Sequence, residues 1–211
     1  MTGGGASIGA TPGRGLSVRS GVMQGAWVTD PAHIRGGLGL TKVERVGIVR
    51  WQGFHLVECA VREDSSSPAA EFLDHLRQGM WEDDPDSSSL PDDEQVADYY
   101  KLLHKMAFLA AHGEPERRGD VNYLHSGIWE FKVARKRLAF YDTDGKGNWS
   151  PKGKVEDAKD AEDGATHWWF PAMDKEIRLL NAWPKLGQKA EPSDIELAVT
   201  IAREDVRHDE S

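Results

Sequence analysis

The sequence predicts an α+β protein in which two helices precede a meander of short strands and a closing helix. Three observations predict it. Apolar residues recur at helical spacing between positions 68 and 111, the pattern changes to alternation from Ile128, and a last helical repeat follows Pro192.

The segment VERVGIVRWQGFHLVECAV (43–61) is rich in Val, Ile, Phe and Trp and breaks at Gln52-Gly53, which predicts a β-hairpin turning there. Ser67 and Pro68 then supply an N-cap and a first helical position. Ala69, Phe72, Leu73 and Leu76 give this first helix one apolar face. The run EDDPDSSSLPDDE (82–94) is acidic and rich in Pro and Ser, and predicts a solvated loop inserted into a helical hairpin. A second helix is predicted from about Glu94 to Ala111, stopped by Gly113. Its stripe is read as Val96, Tyr99, Tyr100, Leu103, Met106, Ala107 and Ala110.

IWEFKV (128–133) and RLAFY (137–141) are separated by three residues and predict a tight strand pair. The polar stretch 142–166 predicts a flexible insertion. THWWF and IRLLNAW supply further strands, and in the first of these one Trp is expected to pack while its neighbour covers the sheet edge. The closing helix is expected to start with a capping box between Ser193 and Glu196, and to turn Ile195, Ala198, Val199 and Ala202 inward. Residues 1–42 read as a disordered or linker extension ahead of one domain over 43–211. Their GATPGRG segment lacks the Gly-Lys-Ser/Thr ending of a phosphate loop.

Composition narrows the function. The 211 residues carry a net charge of −9, which opposes non-specific nucleic-acid binding by the whole chain but not a local basic site. One cysteine, Cys59, excludes an intrachain disulfide and predicts a reducing, cytoplasmic setting. No apolar run reaches the roughly 18 residues of a membrane span, and no secretory h-region is seen at the N-terminus. Eight histidines are scattered without a His-Glu-x-x-His pattern, so no metal site and no cofactor is expected.

Against this acidic background, SGIWEFKVARKRLAFY (126–141) gathers four basic side chains, Lys132, Arg135, Lys136 and Arg137. Side chains alternate between faces along a strand. Trp129, Phe131 and Val133 therefore form a core face, and Glu130 and Lys132 point the other way. After the turn Arg137 and Tyr141 fall on that same second face. Lys185 and Lys189 would reach it from the loop after the last strand. Converging cations suit a phosphate backbone, and a carboxylate among them can move a proton. Half-exposed strands also carry Lys and Arg paired to nearby acids without any site, and spacing alone favours that plainer reading.

These residues, Ser126 to Val133 followed by Arg137 to Tyr141, resemble the signature of the RelE/HigB/ParE toxin superfamily, close to its phage-derived, HigB-like branch. The stretch WPKLGQKAEPSDIELA (183–198) resembles that branch's ending, and SPAAEFLDHL and the helix before VNYLHSG resemble its helical hairpin. Together they cover roughly residues 43–207. The resemblance implies a RelE-like fold, an N-terminal helical hairpin packed on a twisted antiparallel sheet with a C-terminal helix. It implies the toxin of a type II toxin–antitoxin module, a metal-independent endoribonuclease that cleaves mRNA on the ribosome. Its partners would be a cognate antitoxin, forming a hetero-oligomer, with mRNA and the ribosome, and no membrane.

By the same resemblance Lys132, Arg137 and Lys185 match basic positions of the catalytic face, with Glu130 as general base. Arg135, Lys136, Lys189 and Tyr141 would bind the substrate backbone. Two departures keep an alternative open. Residues 58–118 hold 15 Asp and Glu against 6 Lys and Arg, and Leu186 stands where the branch has a second lysine. The alternative is a non-catalytic phage or prophage binding module on this fold that inhibits a host factor such as gyrase. A plainer one is an acidic domain alike in fold alone.

Overall fold

The computed structural model describes residues 43–49, 53–157 and 167–210. The predicted extension over 1–42, with its GATPGRG segment, and the hairpin residue Gln52 lie outside them. Among the described residues the fold is α+β, with three α-helices and a mixed six-stranded sheet.

The expected first hairpin is present as β1 (Gly47–Val49) and β2 (Leu56–Cys59), paired antiparallel. Helix α1 (Pro68–Gln78) follows, with Pro68 in its first turn and Ala69, Phe72, Leu73 and Leu76 all buried, as the spacing predicts. Ser67 sits at the N-cap but does not cap: its hydroxyl donates to the Ala60 carbonyl at 2.8 Å, tying the helix to the end of β2. Gly79 ends the helix at φ +70, and a Cβ there would lie 2.6 Å from the Asp92 carbonyl oxygen. Only glycine lets the two ends of the acidic loop meet, where the Asp92 N–H donates to the Gly79 carbonyl at 2.9 Å.

Helix α2 (Asp93–His112) is capped by the Asp92 carboxylate on the Glu94 N–H and closed by Gly113 at φ +78. Its buried stripe differs from the predicted one, being Gln95, Asp98, Leu102, Met106, Leu109 and Ala110, while Tyr100 is 62% exposed. The rotation has a polar cause. The Gln95 amide exchanges two hydrogen bonds with the Trp81 backbone (2.8 and 2.9 Å), and Asp98 and Asp84 both hold the Lys136 ammonium (2.9 and 2.7 Å). Periodicity counts apolar residues and misses polar groups buried because a partner meets them. For the same reason the acidic loop is not wholly solvated, since Asp84 is buried.

A 3-10 turn (Arg118–Asp120) leads into β3 (Val121–Tyr123), β4 (Trp129–Val133) and β5 (Lys136–Thr143). After the ribbon β6 (Val155–Asp157) and β7 (His167–Trp169) come β8 (Glu176–Pro184) and α3 (Pro192–Arg207). The sheet order is β1-β2-β8-β5-β4-β3. It is not purely antiparallel as expected: β2 and β8 run parallel, because the helical hairpin carries the chain from β2 to β3 at the far edge, and it returns through β4 and β5 before β8 enters beside β2.

One face packs against α1 and α2 through Phe72, Leu76, Met106, Trp129, Phe131 and Phe140, with Phe131 stacked on Phe140 at 4.4 Å. The opposite face is not free along its length. Helix α3 covers β5 and β8 there, through Tyr141, Leu180, Trp183, Ala198 and Ile201. Pro192 opens α3, so its N-cap is Glu191, and no Ser193 capping box forms. Ile195, Ala198 and Ala202 are buried as read, with Ile201 and Asp205 completing the face. The insertion over 142–166 is built into the fold in its first part. Asp142 and Thr143 are fully buried, and the Lys152 carbonyl accepts from the Trp129 indole at 2.9 Å. Trp168 packs near Trp129 and Trp169 is 53% exposed, the division expected of that pair.

Burial gives the fold an alkaline limit. It pushes the Cys59 thiol up to about 12 and lifts the Tyr141 hydroxyl well above its usual range. Both groups keep protons in the folded state that the unfolded chain releases. The stability they confer is complete below the ordinary thiol value of 9.0 and is lost as pH rises towards about 12. Urea denaturation across this range is expected to show stability falling by up to about 1.4 kcal/mol per pH unit for the thiol. Cys59→Ala should decline less steeply, and equal slopes in the two proteins would rule the thiol out.

Candidate functional site

Strand β4 alternates as its sequence predicts, with Trp129, Phe131 and Val133 in the helical core and Glu130 and Lys132 on the other face. Its register with β5 places Lys132 opposite Arg137 and Glu130 opposite Ala139. Register with β3 adds Asn122 opposite Glu130. The result is a polar patch of Asn122, Glu130, Lys132 and Arg137 on the part of the face beside α3, which Lys185 joins from the loop after β8. The Asn122 amide donates to Glu130 Oε1 at 3.2 Å, and Arg137 Nε lies 3.8 Å from the same oxygen.

The patch has a floor and a rim. Glu130 and Arg137 keep 7% and 8% of their side-chain surface accessible and form the floor. Arg137 is held down by donating from Nη1 to the carbonyls of Ala134 and Lys136, at 3.1 and 2.8 Å. Lys132 is half-buried and Lys185 is exposed, so they form the rim. Lys185 reaches this place because its N–H donates to the Arg135 carbonyl at 2.6 Å, while Arg135 Nε donates back to the Lys185 carbonyl at 3.1 Å.

Burial dominates the electrostatics. It raises the Glu130 carboxyl above its ordinary value, against the Asn122 hydrogen bond and the charges of Arg137, Lys132 and Lys185. It also lowers the Lys132 ammonium, with Glu130 opposing and Arg137, Lys185 and Lys105 adding to the effect. The Arg137 guanidinium is lowered by burial against the pull of Glu130. A carboxylate that takes a proton more readily thus adjoins an ammonium that gives one up more readily. The two shifts bring a base and an acid closer together in proton affinity than the free side chains are.

The remaining predicted residues are placed elsewhere. Lys136 is 2% exposed on the helical face, between Asp84 and Asp98, and cannot reach a ligand on the patch. The alternation that puts Arg137 on the patch puts its neighbour Lys136 on the other side. Tyr141 is fully buried beneath α3, its hydroxyl donating to Asp205 Oδ2 at 2.8 Å. Arg135 is at the turn, paired with Asp86 at 3.1 Å. Lys189 is exposed in the loop before α3.

Asn122 was not singled out from the sequence. It sits in VNYLHSG with no charge to mark it, and only the β3–β4 register brings it to Glu130. Among the described residues, no group of three or more His, Cys, Asp or Glu is arranged to hold a metal ion, and no helix is long and apolar enough to cross a membrane. No protein-family model matches the chain, and no curated protein matches it.

Proposed function

We propose that the chain is a RelE/HigB-type toxin, an endoribonuclease of a type II toxin–antitoxin module acting on mRNA at the ribosome. One observation carries this reading: Glu130 with its raised carboxyl lies on one sheet face with the lowered Lys132 ammonium and the Arg137 guanidinium. The helical hairpin, the β4–β5 ribbon and the closing helix come in the order the resemblance implies, which supports a RelE-like form of the fold. A lone buried thiol, Cys59, fits a reducing cytoplasmic setting. A cognate antitoxin would neutralise the toxin by covering the exposed rim, Lys132 and Lys185.

The chemistry follows from the residues. Glu130 takes the proton of a ribose 2′-hydroxyl, and the 2′-oxygen attacks the adjoining phosphorus. Arg137 and Lys185 neutralise the charge on the phosphoryl oxygens as the fifth bond forms. The bond to the 5′-oxygen breaks, and Lys132 gives that oxygen a proton. The products are a 2′,3′-cyclic phosphate and a 5′-hydroxyl.

A second reading has its own observation. Arg137 spends two hydrogen bonds on turn carbonyls, and Arg135 is taken by Asp86, so these cations also serve the turn. This favours a non-catalytic module that inhibits a host factor such as gyrase. Inducible expression in a bacterial host separates the two. Wild type is expected to arrest growth and create new mRNA 5′ ends, and Lys132→Ala to lose both while remaining folded by circular dichroism. Arrest without new 5′ ends, unchanged in Lys132→Ala, would favour the binding module.

A further inference from the structure

Beyond the patch, Lys132 also lines a groove of about 510 Å³ that runs from the end of β4 across the outward side of α2 to the segment before β3. Four cations line it, Lys101, Lys105, Arg117 and Lys132, against two acids, Glu116 and Asp120. Its local balance is therefore +2, in a chain whose net charge is −9. Lys105 is committed to Asp120, and His104 lies 3.2 Å from Glu116. Lys101 shares Asp98 with the buried Lys136 and is 61% exposed, and Arg117 is exposed.

An aromatic ring stands among these cations. Tyr100 lines the groove and is 62% exposed, although it stands on a helix whose apolar neighbours are turned inward. It is held edge-on by Tyr99, with ring centroids 5.3 Å apart. Outside the lining, Arg118, next in the chain to the groove residue Arg117, lies 4.5 Å over the ring of the exposed Trp169. Exposed rings beside a net excess of cations suit one ligand class above others. Every base offers a flat face to stack on, and every nucleotide a phosphate to neutralise. An acidic protein segment would use the cations and leave the rings unexplained.

We propose that this groove carries a single strand of RNA to or from the Glu130–Lys132–Arg137 patch, with phosphates on Lys101 and Arg117 and bases stacked on Tyr100 and Trp169. The assignment rests on the reading of the patch as an RNA-cleaving site. Lys132 joins the two, since it belongs to both. The groove lengthens the footprint beyond the reacting nucleotide, so it selects for an unpaired strand.

The test uses the full chain and a fluorescein-labelled RNA of about 12 nucleotides carrying a single 4-thiouridine. Tyr100→Ala and Trp169→Ala are each expected to weaken binding about tenfold. Lys101→Ala/Arg117→Ala should lower the slope of log affinity against log salt by about 1.4. These side chains are exposed, and unchanged circular dichroism would show that the fold is kept. No binding by wild type, or unchanged affinity in all the variants, would overturn the groove. So would polyglutamate that displaces the RNA equally well from wild type and Tyr100→Ala, since the site would then take an acidic protein segment.

Ultraviolet cross-linking separates this proposal from the one it rests on. Cross-links at Tyr100 or Trp169, with no new mRNA 5′ ends when the chain is expressed in the bacterial host, would keep the groove and overturn the endonuclease. New mRNA 5′ ends in the host, with cross-links confined to other surfaces, would keep the endonuclease and overturn the groove.

Discussion

Replacing Asp205 with alanine is expected to cost the fold about 3–5 kcal/mol, the range for removing one partner of a buried charged network. Asp205 stands in the last turns of α3 and is fully buried. Its Oδ1 accepts from Arg45 Nε at 2.9 Å and from the Val61 N–H at 2.8 Å, and its Oδ2 accepts from the Tyr141 hydroxyl at 2.8 Å. Arg45 also donates to the Asp205 carbonyl at 3.0 Å and lies 2.9 Å from Asp209. Alanine would strand the Arg45 guanidinium, whose side chain is 3% exposed, with a weakened set of acceptors.

Urea denaturation reads the effect directly. Asp205→Asn, which keeps an acceptor oxygen, should cost less than alanine. Arg45→Met in the Asp205→Ala background should recover part of the loss, because the stranded charge goes with it. A loss below about 1 kcal/mol for Asp205→Ala would mean that packing alone seats α3. The point bears on the site, since α3 decides how much of the polar face stays open.

The largest effect on activity is expected from Glu130→Gln, a fall in RNA cleavage of about 10²–10⁴-fold, the range for removing a positioned general base. Glutamine keeps an oxygen for the Asn122 amide. It also removes a charge that burial disfavours, as the raised Glu130 carboxyl shows, so stability near neutral pH should not fall. Loss of cleavage in a protein as stable as wild type would therefore mark a chemical role.

The pH profile gives a second check. Glu130 must be ionised to take a proton, so the rate rises with pH through its value, which lies above the ordinary 4.5. Lys132 must be protonated to give one, so the rate falls as pH passes its value, which lies below the ordinary 10.5. A bell narrower than the ordinary pair would give is the expected outcome. An acid limb that persists unchanged in Glu130→Gln would assign the base to another group.

The α1 face was legible because all its buried residues are apolar and none depends on a distant partner. The α2 stripe was misread by part of a turn because Gln95 and Asp98 are buried by what they meet, the Trp81 backbone and Lys136. In the candidate site, Glu130, Lys132 and Arg137 share a face through the two-residue period of a strand, which needs no tertiary information. Asn122 needed the β3–β4 register, and the exclusion of Lys136 and Tyr141 needed the position of the helices. The groove joins α2 to the end of β4 and has no signature within either segment.

By itself the sequence determined the helices, the β1–β2 and β4–β5 strand pairs, the α+β class and the face on which Glu130, Lys132 and Arg137 stand, but not β3 or β6. Local periodicity and turn chemistry act within a few residues, and those features are local. Only the tertiary structure decided which part of that face stays open, which cations are consumed by Asp84, Asp86 and Asp98, and where Lys185 arrives. Burial sets both the proton affinities of the patch and the cost of its charges, and burial depends on the parallel entry of β8 beside β2 and on α3 folding back over it. Those are contacts between segments far apart in the chain, which periodicity within a segment does not encode.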